Sequence, residues 1–366
     1  MTVQRKQKTE ASDYSCEGMV ETKSNKRVHS AAALKTAEKN GADLLDLILH
    51  KDNLNAAWKK VKDNKGAAGI DGMGVDEMLP YLRQHKGEFL RSIQEGHYKP
   101  KPVRRVEIPK PDGGLRLLGV PTVIDRMLQQ AVVQVLEPIF ERTFSDSSYG
   151  FRPNRSAHQA IKRAKDYYDE GYTQVVDIDL EKYFDTVNHD LLLDMLHEQI
   201  SDKRVLRLIR AFLKSGVMVN GLVSESIKGT PQGGNLSPLL SNIYLTRFDR
   251  MLEERGHRFV RYADDCNIYV KSKRASQRVM DSCKQYLEGK LKLKVNKSKS
   301  RTASPLRSKF LGFSLYKMRS KTGIRPHEKS LRRFKARLRE LTSRRQARSI
   351  EMILLRLRRF TVGWLS

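Results

Sequence analysis

Two adjacent carboxylates, Asp264 and Asp265, follow Arg261-Tyr262-Ala263. Phe259, Val260 and Tyr262 lead in, and Ile268, Tyr269 and Val270 lead out, so the pair sits at the tip of a predicted β-hairpin. Asp is also an ordinary turn residue, and the pair alone is compatible with a polar turn. Neighbouring carboxylates repel each other unless a cation stands between them. In a chain this basic, a divalent metal engaged in phosphoryl transfer is the chemistry that would use both. A second acidic run is Asp177-Ile178-Asp179-Leu180-Glu181-Lys182-Tyr183-Phe184-Asp185. On a strand, Asp177 and Asp179 project to one face. An acid at that strand's end could meet the hairpin tip. Three carboxylates would then hold two Mg²⁺ ions, one activating a 3′-hydroxyl and the other holding a triphosphate. Oxygen ligands suit Mg²⁺ better than His or Cys. Asp177 itself reads as a structural hydrogen-bonding residue, and Asp185 as a local turn or cap.

The loop Gly229-Thr230-Pro231-Gln232-Gly233-Gly234-Asn235-Leu236-Ser237-Pro238 precedes an apolar helical run. Gly233 and Gly234 allow backbone to approach a ligand closely. The N–H groups of a helix start suit a phosphate or a nucleobase edge. A Gly-Gly loop taken alone signals only a turn.

These residues need elements to hold them. Residues 1–43 are polar, charged and poor in large apolar side chains, which predicts a flexible basic arm. Leu44, Leu45, Leu47 and Ile48 crowd a short helix, and Leu54, Ala57, Trp58 and Val61 recur at helical spacing. Val103, Val106 and Ile108 lead to a turn over residues 109–114, and residues 115–120 return, a predicted hairpin. Residues 123–140 have the density of a buried helix, and 156–169, 203–214, 236–254 and 274–288 read as further helices. Residues 175–180 form a short predicted strand, and Asn188 can cap a helix from His189. Lys292–Val295 and Lys309–Leu315 are strand-like. Beyond 328, Leu331, Phe334, Leu338 and Leu341 make one apolar stripe, and Ile350, Ile353, Leu354 and Leu357 another. Strands and helices mix without regular alternation, which predicts an α+β fold.

Composition narrows the partners. Lys and Arg number 70 against 42 Asp and Glu in 366 residues, a formal charge of +28 that no internal pairing neutralises. Such a surplus points to a polyanion. An anionic membrane surface would call for a basic amphipathic helix or polybasic tail. Here the basic residues run along the chain, which favours a nucleic-acid channel. Cys16, Cys266 and Cys283 are too scattered for a disulfide framework or zinc site and fit a reducing compartment. No apolar run approaches the ~18 residues of a membrane span. The start has no apolar signal core, and Glu10, Asp13, Glu17 and Glu21 oppose a transit peptide. A cytoplasmic protein without a membrane partner is expected.

Asp-x-x-x-x-Phe at 179–184, Pro-Gln-Gly-Gly-x-x-Ser-Pro at 231–238 and Tyr-Ala-Asp-Asp at 262–265, in that order, resemble the palm of reverse transcriptases. Residues 106–125 (VEIPKPDGGLRLLGVPTVID) and 147–159 (SSYGFRPNRSAHQ) resemble the fingers of bacterial group II intron-encoded reverse transcriptase/maturase proteins, with class C the closest subgroup. The resemblance extends over residues 44–366 and implies a right-hand polymerase. Fingers with an N-terminal extension would span 44–170, a palm with an antiparallel sheet carrying the acids 171–320, and a partial helical thumb 321–366. It implies that Asp179, Asp264 and Asp265 are catalytic and hold two Mg²⁺ ions together with the Leu180 carbonyl, Mn²⁺ being able to substitute. Phe184 matches the aromatic gate that excludes a ribose 2′-hydroxyl. Lys110 and Arg116 match fingers residues that hold the incoming triphosphate. Gln232 matches the residue beside the nascent base pair, and Lys299 a basic residue near the leaving pyrophosphate, a candidate general acid. Gly233, Gly234, Arg152, Arg155 and the primer-grip-like turn Phe310-Leu311-Gly312 would meet template and primer. The implied substrates are dNTPs, and the implied partners intron RNA, an RNA template and a DNA or RNA primer.

Two departures accompany the resemblance. Leu117 stands where the family often has Pro, so a slightly different fingertip is expected. Residues 358–366 resemble the start of the maturase motif, and a C-terminally truncated thumb is therefore expected. Competing readings are an RNA-binding splicing cofactor with little polymerase activity, a reverse transcriptase domesticated for defence, and an RNA-dependent RNA polymerase, which Phe184 disfavours.

Overall fold

The computed structural model describes residues 43–109, 114–219, 222–224, 228–230, 233–319, 321–343, 345–346 and 349–365. The expected basic arm, Lys110 and Gln232 lie outside the described residues. Among the described residues the first elements are α1 (Leu44–Leu49), α2 (Lys51–Asp63) and α3 (Met78–Gln94). The hairpin β1 (Val103–Pro109) and β2 (Leu115–Val120) follows, then α4 (Val123–Glu141) and α5 (Ala157–Asp169). Next come β3 (Gln174–Ile178), α6 (Tyr183–Thr186), α7 (His189–His197) and α8 (Lys203–Lys214). The short strands β4 (Val217–Val219) and β5 (Leu222–Ser224) precede α9 (Ser237–Glu254). After them stand β6 (Arg258–Tyr262), β7 (Asp265–Val270), α10 (Lys273–Gly289) and β8 (Arg301–Ala303). β9 (Phe313–Met318), β10 (Lys321–Pro326), α11 (Glu328–Leu341) and α12 (Ile350–Leu365) complete the series. The result is the expected mixture of helices and mainly antiparallel strands.

The chain divides into two compact units, one running through Phe144 and resuming over Lys182–Tyr244, the other comprising Ser145–Glu181 and Leu245 onward. In the first, α4 buries Met127, Leu128, Ala131, Val132, Val135 and Leu136, as its apolar density predicts. Thr122 caps it by accepting from the Asp125 N–H at 3.1 Å. The Asn53 amide of α2 donates to Ile48 O at 2.9 Å and to Ala131 O at 3.0 Å, so a buried polar group ties α2 to α4 without an unpaired donor. Asn188 caps α7 as expected, accepting from the Leu191 N–H at 3.0 Å. The sheet order is β2-β1-β4-β5. Leu117 sits in the ladder opposite Glu107. Proline there would withdraw an N–H from the strand.

In the second unit the sheet order is β6-β7-β3-β8, with every neighbouring pair antiparallel. Val175 and Tyr269 pack with Ile161 and Ala164 of α5. Ile178 and Cys266 border the opposite layer, with Phe248 of α9 and Leu287 of α10. Covered on both faces, these strands lose the polar alternation of a half-exposed sheet.

Three sequence expectations need correction here. Lys292–Val295 is no strand: Lys292 takes a positive φ of 54°, which breaks the extended run, and only Val295 bridges, to Leu180. Within Lys309–Leu315, residues 310–313 instead close a turn, and the strand begins at Phe313. In α12, Ile350 and Leu354 are 65% and 56% exposed. The helix instead turns Phe360 and Trp364 to Phe334 of α11, with ring centroids 5.4 and 4.3 Å apart. Ile353 and Leu357, half-buried, share the face of these rings, and Ile350 and Leu354 fall off it.

Candidate active site

Antiparallel pairing sets the acids in place. β3 pairs with β7 so that Asp177 faces Asn267 and Ile178 faces Cys266. Asp179 follows directly on this paired stretch, and Asp265 opens β7. β6 and β7 close around Ala263 and Asp264, with Tyr262 opposite Asp265. Ala263 takes a φ of +57°. Such a φ at the first central residue lets a two-residue turn match the twist of the strands. Asp264 lies in that turn and borders a small cavity with Leu180, Phe248 and Leu287.

The backbone of Asp179 is held by the segment after α10. Its carbonyl accepts from Asn296 N–H at 2.9 Å and from Ser300 Oγ at 3.2 Å, while its N–H donates to Ser300 Oγ at 3.0 Å. Glu181 N–H donates to Lys294 O at 2.8 Å. These bonds flank the Leu180–Val295 bridge, so the Leu180 carbonyl points away from it. Lys299 Nζ stands 3.8 Å from Asp179 Oδ2, and Arg301 Nε 3.7 Å from Asp177 Oδ2.

The acids act on one another. The Asp265 carboxyl is pushed up to about 7, first by desolvation and then by repulsion from Asp264, Asp179 and Asp177, against an opposing Lys299. Its side chain keeps solvent contact, so the repulsion is the firmer cause. Asp177 rises to about 6 through partial burial, with Arg301 opposing and Asp179 adding repulsion. Asp177 therefore does more than make a structural bond: it adds charge to the cluster. Among the described residues, no three acidic, His or Cys side chains converge tightly enough to form a ready metal cage. Asp264 belongs to the turn and Asp265 opens a strand, where successive side chains diverge. Repelling carboxylates with oxygen donors alone still fit a divalent cation, whose binding would relieve the repulsion.

The raised carboxyls give a signed expectation. Both would titrate near 3.8 in an unfolded chain, so between pH 4 and 7 the folded state keeps protons that the unfolded state has lost. Their contribution to stability must fall as pH rises through that window. In chelator, Asp265→Asn should therefore gain thermal midpoint relative to the wild type from pH 5 to 8. An unchanged difference would show that the acids do not repel in the folded protein.

The remaining expected site residues are placed as follows. In the first unit, Phe184 lies in α6 beside Tyr183, with centroids 5.2 Å apart. Its carbonyl accepts from Thr230 N–H at 2.6 Å, and Gly229 N–H donates to Val187 O at 2.8 Å. The loop entering Pro231 is thus tied to the Phe184 helix. Gly233 has φ +114°, and a Cβ there would stand 2.9 Å from Gly119 O of β2. Gly234 sits close to the Gln129 side chain. Gly233 is required by this backbone contact, whereas the Gln129 side chain can move away from a Cβ on Gly234. Arg116 is exposed on β2 opposite Ile108. In the second unit, Arg152 Nη1 donates to Ser145 O at 2.5 Å and Ser148 O at 2.8 Å. Arg155 pairs with Asp146 at 2.7 Å and lies over the Tyr149 ring. Both arginines brace their own loop. Phe310, Leu311 and Gly312 form a turn with φ +51° and +90° at its centre, closed by reciprocal Phe310–Phe313 bonds of 3.0 and 2.9 Å. Gly312 O accepts from His327 N–H and Ser330 Oγ, each at 2.9 Å. Asn296 and Ser300, which hold the Asp179 backbone, carry no chemical signature in the sequence.

The model of the family described as "Reverse transcriptase (RNA-dependent DNA polymerase)" matches residues 108–315. The chain is 36% identical to Protein YkfC of Escherichia coli, over 76% of this chain and 84% of that protein. It is 31% identical to the group II intron-encoded protein LtrA of Lactococcus lactis, over 80% of this chain and 61% of LtrA. Among solved structures, a Candida albicans telomerase aligns with a TM-score of 0.47 and 14% identity, over 72% of this chain and 53% of that one.

Proposed function

The chain belongs to the reverse transcriptase family, the RNA-directed DNA polymerases, and is related to group II intron-encoded proteins; we propose that Asp179, Asp264 and Asp265 carry its chemistry with two Mg²⁺ ions. The observation that supports this reading is the β3–β7 pairing, which ends at Ile178 and Cys266, the immediate neighbours of Asp179 and Asp265, beside the Asp264 turn. The metals, when bound, would stabilise the attacking and leaving oxygens of an in-line displacement. The protein's own part is positional. Asn296 and Ser300 fix the Asp179 backbone, the hairpin presents Asp264 and Asp265, and the Leu180 carbonyl offers a further oxygen. Lys299 supplies positive charge beside Asp179, where it can steady a departing pyrophosphate. Single-nucleotide addition on an RNA template should vanish in excess chelator and return with Mg²⁺ or Mn²⁺. Addition indifferent to chelator would remove the metal from the account.

The finer assignments follow the same reading. Lys110 and Arg116 would grip the triphosphate, Gln232 would face the nascent pair, and Phe184 would bar a 2′-hydroxyl. Arg152, Arg155, Gly233, Gly234 and the Phe310–Gly312 turn would shape the surface for template and primer. Phe184→Ala should raise ribonucleotide use relative to dNTP by about 10- to 100-fold, the range of a shape-based pocket contact. An unaltered ratio would remove the gate assignment. Intron RNA is the proposed native partner, in a cytoplasmic setting. A splicing cofactor with an idle polymerase is not favoured, because RNA binding alone has no use for clustered acids.

A further inference from the structure

Arg261 begins the Arg-Tyr-Ala-Asp-Asp run, yet its side chain is 1% exposed and that of its partner Asp249 is fully buried. Nε donates to Asp249 Oδ1 at 2.7 Å and Nη2 to Oδ2 at 2.6 Å. A third donor, Nη1, reaches the Ala263 carbonyl at 2.8 Å. Asp249 lies on α9, so a helix anchors the guanidinium that holds the turn. Ala263 itself takes the left-handed conformation that residues with a Cβ avoid. Segment 147–150 presses on the same turn from the flank. Arg261 N–H donates to Ser147 O and Tyr149 N–H to Arg261 O, each at 2.8 Å. A Cβ on Gly150 would stand 2.3 Å from Ala263 N.

A buried ion pair adds little stability over a well-packed apolar pair. The fold could therefore be held here without charge. What an apolar pair cannot replace is the third arm. Lysine, a single point charge, lacks the planar fork that serves a carboxylate and a carbonyl together. From this geometry we infer that Arg261, anchored by Asp249, is a positioning residue for nucleotide addition. It fixes the Ala263 carbonyl and thereby the direction in which Asp264 and Asp265 leave the turn. The inference rests on those two acids being the metal-holding pair.

The test compares Arg261→Met/Asp249→Leu, Asp249→Asn and Asp264→Asn in the full chain. The apolar double variant should keep the wild-type thermal midpoint or exceed it. Its kcat should fall roughly 100-fold, the cost of a misplacement near 1 Å. KM for dTTP should stay nearly unchanged, and half-maximal Mg²⁺ should rise. Asp249→Asn leaves the arm to Ala263 in place and should lose stability while keeping most of kcat below its melting range. If the double variant does not fold, Arg261→Lys, which drops that arm and keeps the charge, should show the same loss of kcat. A folded double variant, or failing that a folded Arg261→Lys, with wild-type kcat and Mg²⁺ dependence would overturn the inference. So would equal losses of kcat in Asp249→Asn and the arm-removing variant. If Asp264→Asn itself remains active, the metal-site reading fails. If Asp264→Asn is inactive and the arm-removing variant is active, only the positioning role fails.

Discussion

Asp264→Asn should lower nucleotide addition by at least about 10³-fold, since a metal ligand carries several kcal/mol of transition-state stabilisation and each 1.36 kcal/mol is tenfold in rate. The substitution keeps the size and shape of the side chain. The β6–β7 turn has no need of the charge, because its geometry rests on the Ala263 backbone and Arg261. Loss of one repelling carboxylate also lets Asp265 ionise more easily, so stability in chelator should not fall. Template–primer affinity should stay nearly unchanged, because one acid in a chain of +28 alters the long-range field little. Fluorescence anisotropy on a labelled RNA–DNA hybrid, run beside single-turnover extension, separates the two effects. Joint loss of binding and extension would assign Asp264 a structural role.

Raising salt should weaken template–primer binding almost as strongly. Lys290, Lys292, Lys294, Lys297 and Lys299 are all exposed within ten residues, and Arg332, Arg333, Lys335, Arg337 and Arg339 are exposed on α11. Arg332 and Arg337 have surface partners in Glu328 and Glu340. Such exposed pairs are weak and yield readily to phosphate. A protein that neutralises about six phosphates loses roughly 10³-fold in affinity between 50 and 200 mM salt. A log Kd that stays flat over that range would mean the basic surface does not track a nucleic-acid backbone.

Much of this site was legible because its signals are local. The acidic hairpin showed in apolar runs around a turn, the helices in their apolar spacing, and the cap at Asn188 in one side chain. What remained hidden depends on contacts distant in sequence. Arg261 looks solvated in the sequence because charged residues seldom stand fully buried. Only the layer of α9 and α10 on one face of the sheet, with Asp249, Phe248 and Leu287, encloses it. Ser300 grips Asp179 across 121 positions through a hydroxyl common in any loop. Gly233 and Gly234 suggested a ligand cradle, yet their close neighbours here are Gly119 and Gln129. The exposed aliphatic stripe at Ile350 and Leu354 was misjudged because spacing alone cannot show which apolar residues find an aromatic partner.

The central claim is that Asp179, Asp264 and Asp265 add deoxynucleotides on an RNA template. The most direct measurement is dTTP incorporation onto oligo(dT) annealed to poly(rA), with Mg²⁺ or Mn²⁺, for the wild type and Asp264→Asn. The account predicts metal-dependent extension by the wild type and none above background by the variant. Normal binding of the hybrid by the wild type, with no dTTP incorporated in either metal, would contradict it.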